Sequence, residues 1–229
     1  MSEQAENKLP TGKVRDELYR QLGSLGSALS SPVRLHLLSL LSHGPKSVAR
    51  LAEVSGHQMA NVSAHLKVLR EAGLVKSSRD GKYVFYSLST PRARELVGNL
   101  RTLAETAIPE VRELLRTYYR EDVESVARIG LEALKEEVES GEVILLDLRP
   151  DDEFGHGHIP GARSVPFPEL DKHLDSLRKS DKPIYAYCRG RYCVMASQGT
   201  ARLRDHGLPA QRLPFSIHAW TDKGWSLVQ

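Results

Sequence analysis

Apolar residues follow two different rhythms along this chain. Up to about residue 107 they recur at helical spacing, in short segments punctuated by glycine and proline. Ser31-Pro32 supplies an N-cap followed by a proline at the first helical position. Val33, Leu37, Leu38, Leu40 and Leu41 then line one face until His43-Gly44-Pro45 ends the run. Ser47 caps a shorter helix with Val48, Leu51 and Ala52 inward, closed by Ser55-Gly56. In a third helix Val62, Leu66 and Leu69 stand at i, i+4 and i+7, up to Gly73. The stretch LVKSSRDGKYVFYSL reads as two short strands about a tight turn at Arg79-Asp80-Gly81. Thr90-Pro91 caps a last helix with Leu96, Val97, Leu100, Leu103 and Ala107 on its stripe. Pro109 kinks or ends it before a further piece, PEVRELLRTYY. Two helices joined by a short Gly-containing turn, then a hairpin, is the order of a winged helix-turn-helix.

Beyond YYREDVESVARIG, a charged stretch that reads as a linker running into a helix, the rhythm changes. A helix, LEALKEEVESG, ends at Gly141. VILLDLR and PIYAYC are then continuous apolar runs of the kind needed by strands buried on both faces, and a helix follows from about 194 to 206. This alternation predicts an open α/β sheet with helices on both faces. Ligands of such sheets bind at the carboxyl ends of the strands. The fold class expected is therefore two-domain: a mainly-α winged helix-turn-helix unit, then an α/β unit with a largely parallel open sheet. The divisions expected are a flexible 1–12, a first domain over 13–120 and a second over 121–229, with the linker at about 119–126.

A length of 229 residues fits one or two domains, and 40% hydrophobic with 27% charged residues is globular. No run approaches the ~18 apolar residues of a membrane span. The opening MSEQAENKLP is polar, so no secretory leader is expected. Two cysteines cannot form a disulfide framework. A cytoplasmic protein without membrane contact is the expectation. The net charge of +3 conceals an asymmetry: residues 1–120 hold 18 Lys and Arg against 11 Asp and Glu, whereas residues 121–229 hold 14 against 18. The basic half is the candidate for phosphate backbones.

In that half the third helix would enter the major groove. Its inward apolar residues leave His57, Gln58, Asn61, Ala64 and His65 outward with Ser63 flanking, short polar side chains suited to base edges. Arg34, Lys46, Lys67, Arg70, Arg79 and Lys82 are placed to neutralise phosphates of double-stranded operator DNA. SPVRLHLLSLL, SVARLAEVSGHQMANVSAHLKVLREAGLV and RDGKYVFYSL together resemble the arsenic-repressor (ArsR) type of bacterial winged-helix regulators, over roughly residues 13–118. The resemblance implies a homodimer joined through first and last helices, and segments 15–29 and 92–107 carry suitable stripes. Metal-sensing relatives place paired cysteines on the helix before the recognition helix, or His/Asp/Glu pairs on the last. Here that helix reads VARLAEVSG and the last holds no histidine, so no metal site is expected in this half.

In the second half Cys188 closes its strand. A helix N-terminus just after it, with Arg189 and Arg191 in the loop, would favour thiolate over thiol. Gly190 lets the loop curl so that its amides point inward, which makes a cup for an anion with a nucleophile at its floor. LLDLRPDDEFGHGHIPGARSVPF, KPIYAYCRGRYC, AW and a final GW resemble the rhodanese-like sulfurtransferases over roughly residues 125–229. The resemblance implies that Cys188 takes sulfane sulfur from a donor (thiosulfate, polysulfide or persulfide) and passes it to an acceptor thiol. It also makes Asp147, Arg149 and His158 supporting residues, and it requires no cofactor. Phosphatase relatives carry Cys-x5-Arg, but the fifth and sixth residues here are Cys193 and Val194. Two departures stand out. Phe215-Ser216 replaces the usual Gly-Gly before Ala-Trp and adds bulk where the loop should pack, and Cys193 offers a second thiol able to resolve a persulfide. The expectation is a DNA-binding regulator that senses reactive sulfur or redox state through Cys188 and Cys193. The alternatives are an active sulfurtransferase that controls its own operon, and a sensor of an oxyanion such as one of arsenic.

Overall fold

The computed structural model describes residues 11–118, 126–190 and 193–229. By its internal packing the chain divides after Thr102 into two compact units. Residues 119–125 of the expected linker lie outside the described residues.

The first unit runs α1 (Thr11–Leu29), α2 (Pro32–Leu41), β1 (Lys46–Ser47), α3 (Val48–Ser55), α4 (Met59–Glu71), β2 (Val75–Asp80), β3 (Tyr83–Leu88) and most of α5 (Pro91–Ala107), which continues past the division. After Ile108 comes α6 (Pro109–Tyr118). The capping residues act as their chemistry predicts. Ser31 accepts from Arg34 N–H at 3.5 Å, Ser47 from Arg50 N–H at 3.2 Å and Thr90 from Ala93 N–H at 3.3 Å. Where α4 ends, Gly73 takes φ +72°, which places Gly73 N–H on Arg70 C=O (3.0 Å) and Leu74 N–H on Leu69 C=O (2.9 Å). This is a Schellman closure, sealed by burial of both Leu69 and Leu74. It turns the chain directly from the helix into β2. The three strands pair antiparallel in the order β1-β3-β2, and a two-residue loop, Gly81-Lys82, joins Asp80 to its partner Tyr83. The core gathers Leu37, Leu38, Leu41, Leu51, Val62, Leu66, Leu69, Val75 and Val97.

Strand β1 is a finding beyond the sequence pattern, and it corrects one reading. Lys46 lies in β1, paired with Tyr86 and 2% exposed, so it does not face a DNA backbone. Arg34 is likewise redirected. Its Nε donates to Ala28 C=O at 2.5 Å and its Nη2 to Ser27 C=O at 2.9 Å, closing the carbonyl end of α1.

The second unit runs α7 (Leu131–Glu139), β4 (Ile144–Asp147), α8 (Asp151–His156), β5 (Arg163–Ser164), a 3-10 turn (Phe167–His173), α9 (Leu174–Leu177), β6 (Ile184–Tyr187), α10 (Val194–Asp205), β7 (Ala210–Arg212) and α11 (Ile217–Asp222). Its four strands are all parallel, in the order β5-β4-β6-β7. Alternation along the central strands divides the core between two faces. Ile144, Leu146, Ile184 and Ala186 join Leu170, Leu177 and Leu203 on one side. Leu145 and Tyr187 join Leu134, Ile159, Ile217 and Trp220 on the other. Gly161 shows what the GHIPGA segment requires. Its φ is +82°, and a Cβ there would stand 2.6 Å from Val138 Cγ1, so only glycine fits both the turn and the approach of α7.

Candidate functional site: a paired-thiol loop and an exposed polar helix face

At the carboxyl edge of the parallel sheet, adjacent strands β4 and β6 deliver Asp147 and Tyr187, with Cys188 one residue further on. The Asp147 carboxylate accepts from Arg149 backbone N–H at 3.0 Å and from Arg149 Nε at 2.9 Å, and receives Nη2 as well. Both side chains have no exposed surface. Arg149 Nη2 also donates to Gly157 C=O at 2.9 Å, tying the end of β4 to the segment after α8. Burial alone would lower the Arg149 pKa, but the Asp147 carboxylate outweighs it and holds the guanidinium charged. Burial pushes the Tyr187 phenol well up, so its hydroxyl stays protonated; it accepts from Ile159 N–H at 3.3 Å.

A second ion pair, with its carboxylate buried, joins α8 to the loop. Glu153, 1% exposed on α8, receives Arg189 Nε at 3.0 Å and Nη2 at 2.7 Å. The guanidinium expected to draw an anion into the loop is therefore already matched by a carboxylate. Sequence reasoning missed Glu153. It sits in the acidic run Asp151-Asp152-Glu153, and a helix of six residues has too little periodicity to say which of the three turns inward. His158 is held elsewhere: its ring stacks on Phe154 at 3.6 Å, its Nδ1 lies 3.1 Å from Phe154 C=O, and its backbone pairs with Val228. Arg191 lies outside the described residues.

Gly190 has φ +96°, and a Cβ there would come 3.3 Å from Ser216 Cβ, so Ser216 packs directly on the loop. Cys193 N–H donates to Gly190 C=O at 2.9 Å, which curls the chain back and sets the two sulfurs 2.9 Å apart as free thiols. At Cys188 the expected lowering is opposed by the neighbouring thiol and by burial. Helix α10 begins at Val194, so the residue at its N-cap is Cys193. The hydrogen bond shared with Cys188 is the main cause that lowers Cys193 to about 6. Burial opposes it, and backbone N–H groups of Arg189 and Met195 and the Arg189 charge add to it. Cys188 moves well up, because it holds the shared proton against Cys193 and because it is buried.

In the first unit α4 buries Val62, Leu66 and Leu69 and leaves Gln58, Asn61, Ser63, Ala64, Lys67 and Arg70 exposed, with His65 half-buried. Burial, then the charges of Arg34 and His57, lower the His65 pKa, so its imidazole is neutral at pH 7 and suited to a base edge rather than a phosphate. Lys67 has Glu71 at 3.9 Å, and Arg79 and Lys82 are exposed on the hairpin. Among the described residues no three His, Cys, Asp or Glu side chains form a cluster that could hold a metal, and no helix is long and apolar enough to cross a membrane.

Comparison with known proteins gives matches in both units. A helix-turn-helix domain family matches residues 29–78 and the rhodanese-like domain family matches residues 131–223. The chain is 34% identical over 203 residues to the HTH-type transcriptional regulator Rv0324 of Mycobacterium tuberculosis, covering 89% of this chain and 88% of that one. It is 34% identical to a biofilm growth-associated repressor of Xylella fastidiosa over 45% of this chain and 92% of the relative. The putative sulfur carrier protein YrkF of Bacillus subtilis is 36% identical, over 38% of this chain and 51% of that protein. Among solved structures, the winged helix-turn-helix DNA-binding domain of a possible ArsR-family regulator from Mycobacterium bovis has 26% identity and a TM-score of 0.40, over 48% of this chain and 95% of that one.

Proposed function

The chain belongs with the HTH-type transcriptional regulators and carries a rhodanese-like domain, and on that premise we propose that its first unit is a regulator of the ArsR type and that its two thiols report reactive sulfur or oxidant to operator binding. The observation that carries this reading is the 2.9 Å approach of Cys188 and Cys193 in one loop. A pair so placed is suited to losing two electrons and forming a bridge. The cations Arg149 and Arg189 are matched by Asp147 and Glu153, an arrangement that favours thiol chemistry over capture of a dianion.

Operator DNA is read by α4, through Gln58, Asn61, Ser63 and His65, with Lys67, Arg70, Arg79 and Lys82 on phosphates. The regulator acts in the cytoplasm, where thiols can reset the bridge, and as a homodimer. Exposed Leu18, Tyr19 and Leu22 on α1 and exposed Leu103 and Leu114 on α5 and α6 support a second copy as the partner. The sequence assigns the linker between the two functions to about residues 119–126. Bridging changes operator affinity by roughly 5- to 150-fold, the usual range of allosteric coupling.

The test uses a duplex selected from a random pool by the reduced chain. Wild type, Cys188→Ser and Cys193→Ser are titrated before and after inorganic polysulfide. Wild type is expected to change affinity within that range and each serine variant by less than about 2-fold. A serine variant that responds as fully as wild type contradicts the paired-thiol switch. The second reading, a turning-over sulfurtransferase, is favoured by the rhodanese-like family match; it requires many sulfurs transferred per chain rather than one event per thiol pair.

A further inference from the structure

We propose that Met59 is a specificity-determining residue of the DNA interface, its thioether side chain packing on the C5-methyl group of a thymine in the major groove. The inference rests on the reading of operator DNA by α4 and adds an apolar contact to that polar set. Among the exposed residues of α4, Met59 carries the largest apolar side chain, 55% exposed at the first position of a 13-residue helix. The spacing does not predict this. Val62 and Leu66, three and seven residues on, lie on the same side of the helix and are fully buried. The core thus stops one turn short of the helix start and leaves a methionine in the core phase uncovered.

Met59 stands among polar neighbours. Gln58 before it is the N-cap and makes no side-chain capping bond, and Asn61 and Ser63 after it are exposed. Ser63 lies one turn along on Met59's own side. Helical side chains lean toward the N-terminus, so Met59 extends past the start of α4. That is the end by which the second helix of a helix-turn-helix reaches base edges. The only methyl group on the major-groove edges of the four bases is that of thymine. An unbranched, polarisable thioether adapts its shape to such a group. The other exposed apolar residues of α4 are less suited. Ala60 and Ala64 reach no further than Cβ, and Val68 lies nine residues on, roughly 14 Å along the axis, in the company of Lys67 and Arg70.

The contact supplies a discrimination that hydrogen bonds alone do not. Gln58, Asn61, Ser63 and His65 sort bases by donors and acceptors, whereas Met59 sorts them by the presence of one apolar group. Deoxyuridine in place of thymine removes that group and leaves every hydrogen-bonding atom where it was. Uncovering one buried methyl costs about 4-fold in affinity, and a homodimer on a two-fold symmetric duplex pays this once in each half-site.

The test uses the full reduced chain and the duplex it selects from a random pool, with each thymine replaced in turn by deoxyuridine. Wild type is expected to lose about 4-fold in affinity at one thymine of each half-site. Met59→Ala should bind the parent duplex at least about 4-fold more weakly and be indifferent to deoxyuridine at that thymine. Met59→Leu, apolar and similar in volume, should keep most of the discrimination, and Met59→Gln should lose it. Asn61→Ala should keep the methyl effect while losing preference at its own base. An unchanged circular dichroism spectrum and unfolding midpoint are expected of every Met59 variant, since the position is exposed. Wild type indifferent to every replacement, or a selected duplex with no thymine at a preferred position, overturns the proposal. Full discrimination surviving in Met59→Ala removes Met59 from the contact and leaves reading by α4 in place. A wild-type chain that selects no preferred duplex overturns both.

Discussion

Asp147→Ala is expected to destabilise the second unit by about 3–5 kcal/mol, because it strands the Arg149 guanidinium in a site with no solvent. Domain stabilities are typically only about 5–15 kcal/mol, so this one substitution removes a large fraction of the margin. The arrangement around Arg149 sharpens the effect. Its Nη1 has no hydrogen-bond partner among the described residues even in the intact site, and its Nη2 otherwise reaches only Gly157 C=O. With the carboxylate gone, a buried positive charge keeps one carbonyl. The measurement is urea unfolding followed by tryptophan fluorescence, and both tryptophans of the chain, Trp220 and Trp225, lie in the second unit. The double variant Asp147→Ala with Arg149→Met removes the charge together with its partner and is expected to recover most of the loss. A loss below about 1 kcal/mol in the single variant would show that water or a rearranged neighbour reaches Arg149.

Asn61→Ala is expected to weaken binding to a selected duplex by about 1–3 kcal/mol, roughly 5- to 150-fold, and to relax base preference at one position. Asn61 projects from the exposed face of α4 while Val62 beside it anchors the core, so the side chain is removable without disturbing the fold. Lys82→Ala on the hairpin should behave differently. It should weaken all duplexes alike and reduce the slope of log affinity against log salt by about 1, as expected for one phosphate contact. A selected-sequence profile unchanged in Asn61→Ala would remove that residue from the base-reading set.

The helices and caps of the first unit were legible because each is written locally. Ser31, Ser47 and Thr90 precede helical apolar patterns, and Ala72-Gly73-Leu74 closes α4 by a hydrogen-bond scheme that only the glycine's conformation permits. Strand β1 was not legible, since two residues carry no period; Lys46 therefore read as a surface cation although it is buried against β3. The thiol loop was half legible. The strand, the glycine, both cysteines and a helix from about 194 stand in the sequence, but the hydrogen bond from Cys193 N–H to Gly190 C=O does not. That bond curls the loop so that the two sulfurs stand 2.9 Å apart. Glu153 was hidden for a different reason: three acidic residues in a row look alike until one of them meets Arg189, 36 positions away.

The central claim is that the state of the two thiols sets operator affinity. It is tested most directly by dividing one preparation of the reduced chain, treating half with polysulfide, and measuring intact mass and duplex affinity on both halves. The predicted result is a treated chain that has lost the two hydrogens of a Cys188–Cys193 bridge and binds the duplex with an affinity changed by roughly 5- to 150-fold, restored by reduction. Equal affinity in both halves, with the bridge confirmed by mass, would contradict the account.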